Sequence, residues 1–123
     1  MPDRRQRYGE AGEALAARVL RRQGYRILET NYRTPIGEID LIARERDTIV
    51  FVEVKARRSP HFGHPKAAVT ALKQRKLSMV ALYYLKTTGQ SGAKARFDVV
   101  AICGATERSE VEVVRNAFEL AYG

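Results

Sequence analysis

The sequence predicts an α/β fold, a mixed central sheet flanked by helices, with elements in the order αβββαββ. Three observations carry that prediction. Residues 8–23 repeat apolar side chains at helical spacing, and three following stretches alternate in the manner of strands with short turns between them. A second long helical stretch then precedes two more strand-like runs. Short connections join neighbouring strands, and helices before and between them cover the sheet, so a mixed sheet with helical layers is the simplest arrangement.

The first helix is expected over residues 8–23, ending at Gly24, a residue suited to a left-handed C-terminal stop. Wound at ~100° per residue, Ala11, Leu15, Ala16, Val19 and Leu20 fall on one arc, and Arg18, Arg21 and Arg22 on the other. Glu13 lies beside Leu20 at the edge of the apolar arc and so points toward the sheet. Strands follow at 25–32, 37–44 and 48–56. A loop with Pro60, Gly63 and Pro65 leads to a helix over 66–87, a turn at 89–92, strands at 95–103 and 110–115, and a short C-terminal segment. Leu72, Val80, Leu82, Tyr83 and Leu85 read as core of the second helix rather than as a base-stacking platform.

At 123 residues the chain has the size of a single domain, 1–123, and is long enough to fold without disulfides. Its single cysteine, Cys103, ends the apolar run from Val99 and reads as a small core residue in a reducing compartment. No stretch is long and apolar enough to span a bilayer. The charged start Met1–Arg7 has no apolar run behind it, and Asp3, Glu10 and Glu13 are out of keeping with a transit peptide. A cytoplasmic protein with no membrane partner is expected.

The net charge is +8, and its distribution is uneven. Residues 1–53 nearly balance, with ten basic and nine acidic side chains. Between Glu53 and Asp98 there is no acid, while ten lysines and arginines accumulate. A block of one sign raises a positive potential over part of a surface, and its natural partner is a polyanion: DNA, with RNA not excluded. Arg57, Arg58, Lys73, Arg75 and Lys76 are candidates for phosphate contact, against the plainer reading of a solvated face.

The chemistry-bearing stretch is Gly37-Glu38-Ile39-Asp40-Leu41-Ile42 followed by Phe51-Val52-Glu53-Val54-Lys55. Side chains alternate across a strand, so Val50, Val52 and Val54 share one face, opposite Ile49, Phe51, Glu53 and Lys55. On the preceding strand Ile39, Leu41 and Ala43 share a face, opposite Glu38, Asp40 and Ile42. A two-residue turn at Arg46-Asp47 sets Asp40 opposite Glu53 and Glu38 opposite Lys55; a turn at Glu45-Arg46 leaves Asp40 and Glu53 diagonal neighbours. An odd loop separates the carboxylates but also turns half the valines outward. Two converging carboxylates repel unless a cation lies between them. Mg²⁺ suits that position, because it takes one or two carboxylates and completes its shell with water and phosphate. A lysine on the same face can orient the attacking water of phosphodiester hydrolysis. The plainer alternative is a set of cross-strand ion pairs on an exposed face.

These residues resemble the PD-(D/E)xK nuclease superfamily, with an acid on one strand and (D/E)-x-K on the next. The stretch from about Tyr8 to Phe118 is similar to the bacterial YraN-type family of small predicted endonucleases, themselves similar to archaeal Holliday junction resolvases. The matching segments are Gly9-Glu10, Gly12-Glu13, Gly24-Tyr25, Asn31-Tyr32-Arg33, Gly37–Ile42, Phe51–Lys55, Arg96–Val100 and Arg115–Phe118. The resemblance implies an αβββαβ core. It also implies Mg²⁺ or Mn²⁺ bound by Asp40, Glu53 and the Val54 carbonyl, Lys55 acting on the water, and Glu13 completing the site. It further implies branched or structured DNA as substrate and a possible homodimer. The sequence departs from the pattern at Glu45-Arg46, where a tight Asp-Gly turn is expected, and at Ala56, where threonine is common.

His61-x-x-His64 has no cysteine or further histidine nearby and makes a poor zinc site. As loop residues after Lys55, both histidines could instead contact DNA. Asp98 either pairs with a basic neighbour or approaches the site, and the sequence leaves both open. The rival to an endonuclease is a non-catalytic nucleic-acid-binding module that keeps the fold.

Overall fold

The computed structural model describes residues 4–57, 69–104 and 110–118. Its elements are α1 (Arg4–Arg22), β1 (Arg26–Arg33), β2 (Glu38–Glu45), β3 (Thr48–Arg57), α2 (Ala71–Thr87), β4 (Lys94–Cys103) and β5 (Glu110–Phe118). The strands form one sheet in the order β1-β2-β3-β4-β5. Only the β3–β4 pair is parallel, and the other three pairs are antiparallel. The sheet is therefore mixed, as expected, and the α2 crossover is what makes it so.

Helix α1 ends in a Schellman stop: Tyr25 N–H donates to the Leu20 carbonyl at 3.0 Å, and Gly24 N–H to Arg21 at 3.1 Å. Gly24 takes φ +94°, which glycine adopts without steric cost. Ala16, Ala17 and Leu20 are buried with Leu41, Ala43, Val50, Val52, Val100 and Ile102 on one face of the sheet. Ala11, placed in the apolar arc by periodicity, is exposed, and Gly12 takes the inward position in its stead. A Cβ on Gly12 would stand 3.3 Å from Ala56 Cβ, so the helix lies close on β3 at this end. The next residue, Glu13, lies near enough to Asp40 on β2 for its charge to act there.

Helix α2 covers the other face with Leu77, Val80, Ala81, Tyr84 and Leu85 against Ile42, Ile49, Phe51, Phe97 and Val99. It begins at Ala71 rather than 66, because Thr70 caps it: the Thr70 hydroxyl accepts from Lys73 N–H at 3.2 Å. Leu72 and Tyr83 are not core. At ~100° per residue they share an outward stripe with Met79, opposite the buried arc, and all three are exposed. Cys103 is only partly buried, at the end of β4 beyond the last core residue, Ile102.

Strand β5 runs three residues past its expected end because Phe118 stacks on Phe97, ring centroids 4.4 Å apart. A register shift faces Asp98, where Asn116 adopts φ 52° and donates its N–H to Asp98 Oδ1 at 2.9 Å. Asp98 is wholly buried. It accepts from Tyr25 OH at 2.7 Å and pairs with Arg96 Nε at 3.0 Å, so it is a paired structural acid on the α1 face. Arg96 continues to Glu45, which Arg115 also engages.

Candidate active site

Glu45 pairs with Thr48 across an Arg46-Asp47 turn, and Ala43 with Val50 and Leu41 with Val52 follow. This is the register that directs Asp40 toward Glu53. The turn lacks the glycine of an Asp-Gly pair, and Arg46 itself takes the left-handed conformation at φ 55°. Backbone pairing between β2 and β3 ends at Leu41, and the Asp40 side chain continues it: Oδ2 accepts the Val54 N–H at 2.8 Å. The alternation of β2 breaks at the same point. Ile39 packs with Ile42 and Phe51, not with Leu41 and Ala43 as strict alternation implied. On β1, Asn31 takes φ 50° between Thr30, which pairs with Leu41, and Tyr32, which pairs with Ile39. That left-handed residue lets Tyr32 and Ile39 fall together onto the α2 face.

Asp40 is an acid under pressure. Burial, and next the negative charge of Glu53, push its pKa up to about 7, with Glu13 adding to the effect. The Val54 N–H and the Lys73 ammonium act in the opposite direction. Glu53 is buried, and its Oε1 is shared by Lys73 Nζ at 2.8 Å and Lys55 Nζ at 3.3 Å. Burial first, and then the neighbouring Lys73, hold Lys55 below its ordinary pKa. Burial opposes the charge of Lys73 most strongly, but its bonds to Glu53 and Lys55 and the attraction of Glu53 and Asp40 outweigh it. The pKa of Lys73 therefore rises.

The crossover explains how a helix residue reaches this strand site. Chain leaving the C-terminal end of β3 must travel back to start the parallel β4, so the first turn of α2 lies beside the end of β3 that carries Glu53 and Lys55. Glu13 forms part of an open cleft between α1 and the β1–β2 pair, with Arg18, Arg21, Thr30 and Asn31 along its walls.

The sequence matches the family described as Uncharacterised protein family UPF0102 over residues 12–102. A UPF0102 protein of Desulfosudis oleivorans is 53% identical over 97% of this chain and 95% of its own length. Another, of Syntrophus aciditrophicus, is 53% identical over 95% of this chain and 92% of its own. The chain belongs to the UPF0102 family. A further member, of Geobacter metallireducens, is 51% identical over 93% of each chain. The UPF0102 match covers α1 from Gly12, both candidate acid strands, α2 and most of β4.

Among the residues singled out in the sequence, the UPF0102 structure brings Glu53 and Glu13 within electrostatic reach of Asp40, and Lys55 against Glu53. Val54 joins them through its amide, which fixes Asp40. Glu38 does not: it pairs with Arg33 at 3.4 Å on the exposed β1 side rather than with Lys55. Arg75 and Lys76 stand exposed on α2, Arg57 ends β3, and Arg58, His61 and His64 lie outside the described residues. Lys73, read as one phosphate contact among several, belongs to the acid cluster itself. The signal that could have found it is topological: a helix that follows an E-x-K strand and returns to a parallel one starts at that strand's end.

Among the described residues no three His, Cys, Asp or Glu side chains form a ready-made cage. The donor set fits a hard cation that keeps most of its waters, for which one or two carboxylates suffice. Glu13, Asp40 and Glu53 against Lys55 and Lys73 leave one negative charge in excess when all are ionised, and that excess favours added positive charge.

Proposed function

We propose that this UPF0102 protein is a metal-dependent nuclease of the PD-(D/E)xK kind, hydrolysing phosphodiester bonds in DNA with Mg²⁺ or Mn²⁺. The observation that carries the reading is the Asp40–Glu53 pair, two partly desolvated carboxylates that raise Asp40 to about 7 and share their surroundings with Lys55. A structural ion pair needs no second acid. Asp40 and Glu53, with the Val54 carbonyl that the resemblance implies, would hold the ion, which would polarise a phosphoryl oxygen and lower the pKa of a bound water. The Val54 amide fixes the direction of the Asp40 carboxylate. Lys55, with its depressed pKa, orients the attacking water and offers a hydrogen bond to the charge that develops on the phosphoryl oxygens. Glu13 adds a third negative charge at the rim.

Arg75 and Lys76 on α2 would contact phosphates outside the site. Branched or structured DNA, and a homodimer that supplies one site per strand, follow from the likeness to junction resolvases; the cytoplasm fits such a substrate. No helix among the described residues is long and apolar enough to cross a membrane. One observation favours the rival reading of a non-catalytic binding module: Lys73 already neutralises Glu53.

A cleavage assay on four-way junction, flap, duplex, single-stranded DNA and RNA, with Mg²⁺ or Mn²⁺, separates these readings. Metal-dependent cutting of at least one DNA substrate, lost in Asp40→Asn, is expected. Tight DNA binding without cutting under any metal supports the binding module instead.

A further inference from the structure

The acid cluster already carries a cation that the motif does not contain. Lys73 approaches Glu53 Oε1 to 2.8 Å, closer than the 3.3 Å of Lys55, the lysine of the motif, on the same oxygen. Its charge also acts on Asp40. Its place in the helix works against it. Lys73 lies in the first turn of α2, where the helix dipole is positive, no acid is present, and a lysine is disfavoured. In the capping position that Glu or Gln often fills, this chain has a cation, and only its backbone N–H is used by Thr70. The side chain is 38% exposed, against 23% for Lys55, so it retains space in which to move.

We propose that Lys73 is a displaceable counter-ion of the site, holding Glu53 and Asp40 in the metal-free protein and passing to a nucleic-acid phosphate when a divalent cation takes the carboxylates. The inference rests on the metal-dependent reading above and adds its regulation. An ammonium on a ligand oxygen competes with the ion for it, so metal binding without substrate is held weak. Phosphate offers the released lysine a new anion at the same helix N-terminus, where backbone N–H groups and the dipole already favour one. Metal and nucleic acid therefore bind cooperatively, and the coupling is reciprocal. Lys55 stays behind on the strand to act on the water.

Calorimetric titration of Mn²⁺ into the DNA-free protein tests this, comparing wild type with Lys73→Met and with Lys73→Gln as a second variant, each checked for folding by circular dichroism. Mn²⁺ affinity should rise roughly 5- to 10-fold in either variant, the usual scale of coupling between interacting sites. A DNA duplex should tighten Mn²⁺ binding in the wild type and do so much less in the variants. Unchanged or weaker Mn²⁺ binding in folded variants of a protein that binds the ion contradicts the counter-ion role and leaves the nuclease reading standing. Absence of Mn²⁺ binding in wild type and variants alike overturns the metal-dependent reading, and the proposal with it.

Discussion

Asp40 keeps its proton up to about pH 7 because burial and the charge of Glu53 both oppose ionisation. The spacing from Asp40 to Glu53 and the valine pattern select the register, and the register brings the acids together. Nothing in the local pattern shows that Asp40 would replace a backbone partner and accept from Val54 N–H, because that requires β2 to leave the ladder beside Asn31. Asp98 was legible in part: of the two alternatives left open it takes the basic neighbour, Arg96, two residues away, whereas its other partners Tyr25 and Asn116, 73 and 18 residues off, lie beyond any local pattern. The raised pKa of Asp40 has a sign that can be worked out. With a folded value of about 7 against an ordinary value of 3.8, the folded state holds the extra proton between those limits. The stability contributed by Asp40 is therefore present at low pH and falls as pH rises toward and through 7. In metal-free protein, Asp40→Asn should flatten that fall, on the order of 1–2 kcal/mol after allowance for partial exposure. Urea denaturation of both proteins at pH 5 and pH 8.5 measures it. An identical pH dependence in the two proteins shows that Asp40 is not under the stated pressure.

At the scale of elements, the apolar period located both helices and the order of all five strands, since burial on two faces imposes it. Ends were less legible. Period alone started α2 at 66, but it is Thr70 that satisfies the first-turn N–H of Lys73, and a period has no means of marking a cap. The same period merged the inward Val80 and Leu85 with the outward Leu72 and Tyr83. Thr70 also sets where Lys73 stands relative to Glu53. Thr70→Ala should cost about 1 kcal/mol of stability, the usual cost of losing such a cap. It should also loosen the Lys73–Glu53 contact and so raise Mn²⁺ affinity in the same direction as Lys73→Met, by less. A stability loss with weakened metal binding means that the helix end supports the ion rather than competing with it.

For the whole molecule, the acid-free block from Val54 to Phe97 overstates the free positive surface, because the fold brings acids to it from elsewhere. Lys55 and Lys73 engage Glu53, Lys94 engages Asp47 at 3.1 Å, and Arg96 engages Asp98 and Glu45. Arg75, Lys76 and Lys86 remain exposed along α2. Charge along a chain is visible in sequence, whereas its neutralisation across strands is not. DNA binding should still weaken with salt, by roughly 0.9 in log–log slope per phosphate contact, and Arg75→Ala with Lys76→Ala should lower the slope by about 2. Affinity independent of salt shows that the partner is not a polyanion. Whether the cluster is a hydrolytic metal site is decided by measuring Mn²⁺ binding and DNA cleavage together in wild type, Asp40→Asn and Lys55→Ala. The wild type should bind and cut, Asp40→Asn should lose both, and Lys55→Ala should still bind Mn²⁺ but no longer cut. Cleavage that survives in Asp40→Asn, or Mn²⁺ binding that is indifferent to it, shows that the cluster is not such a site.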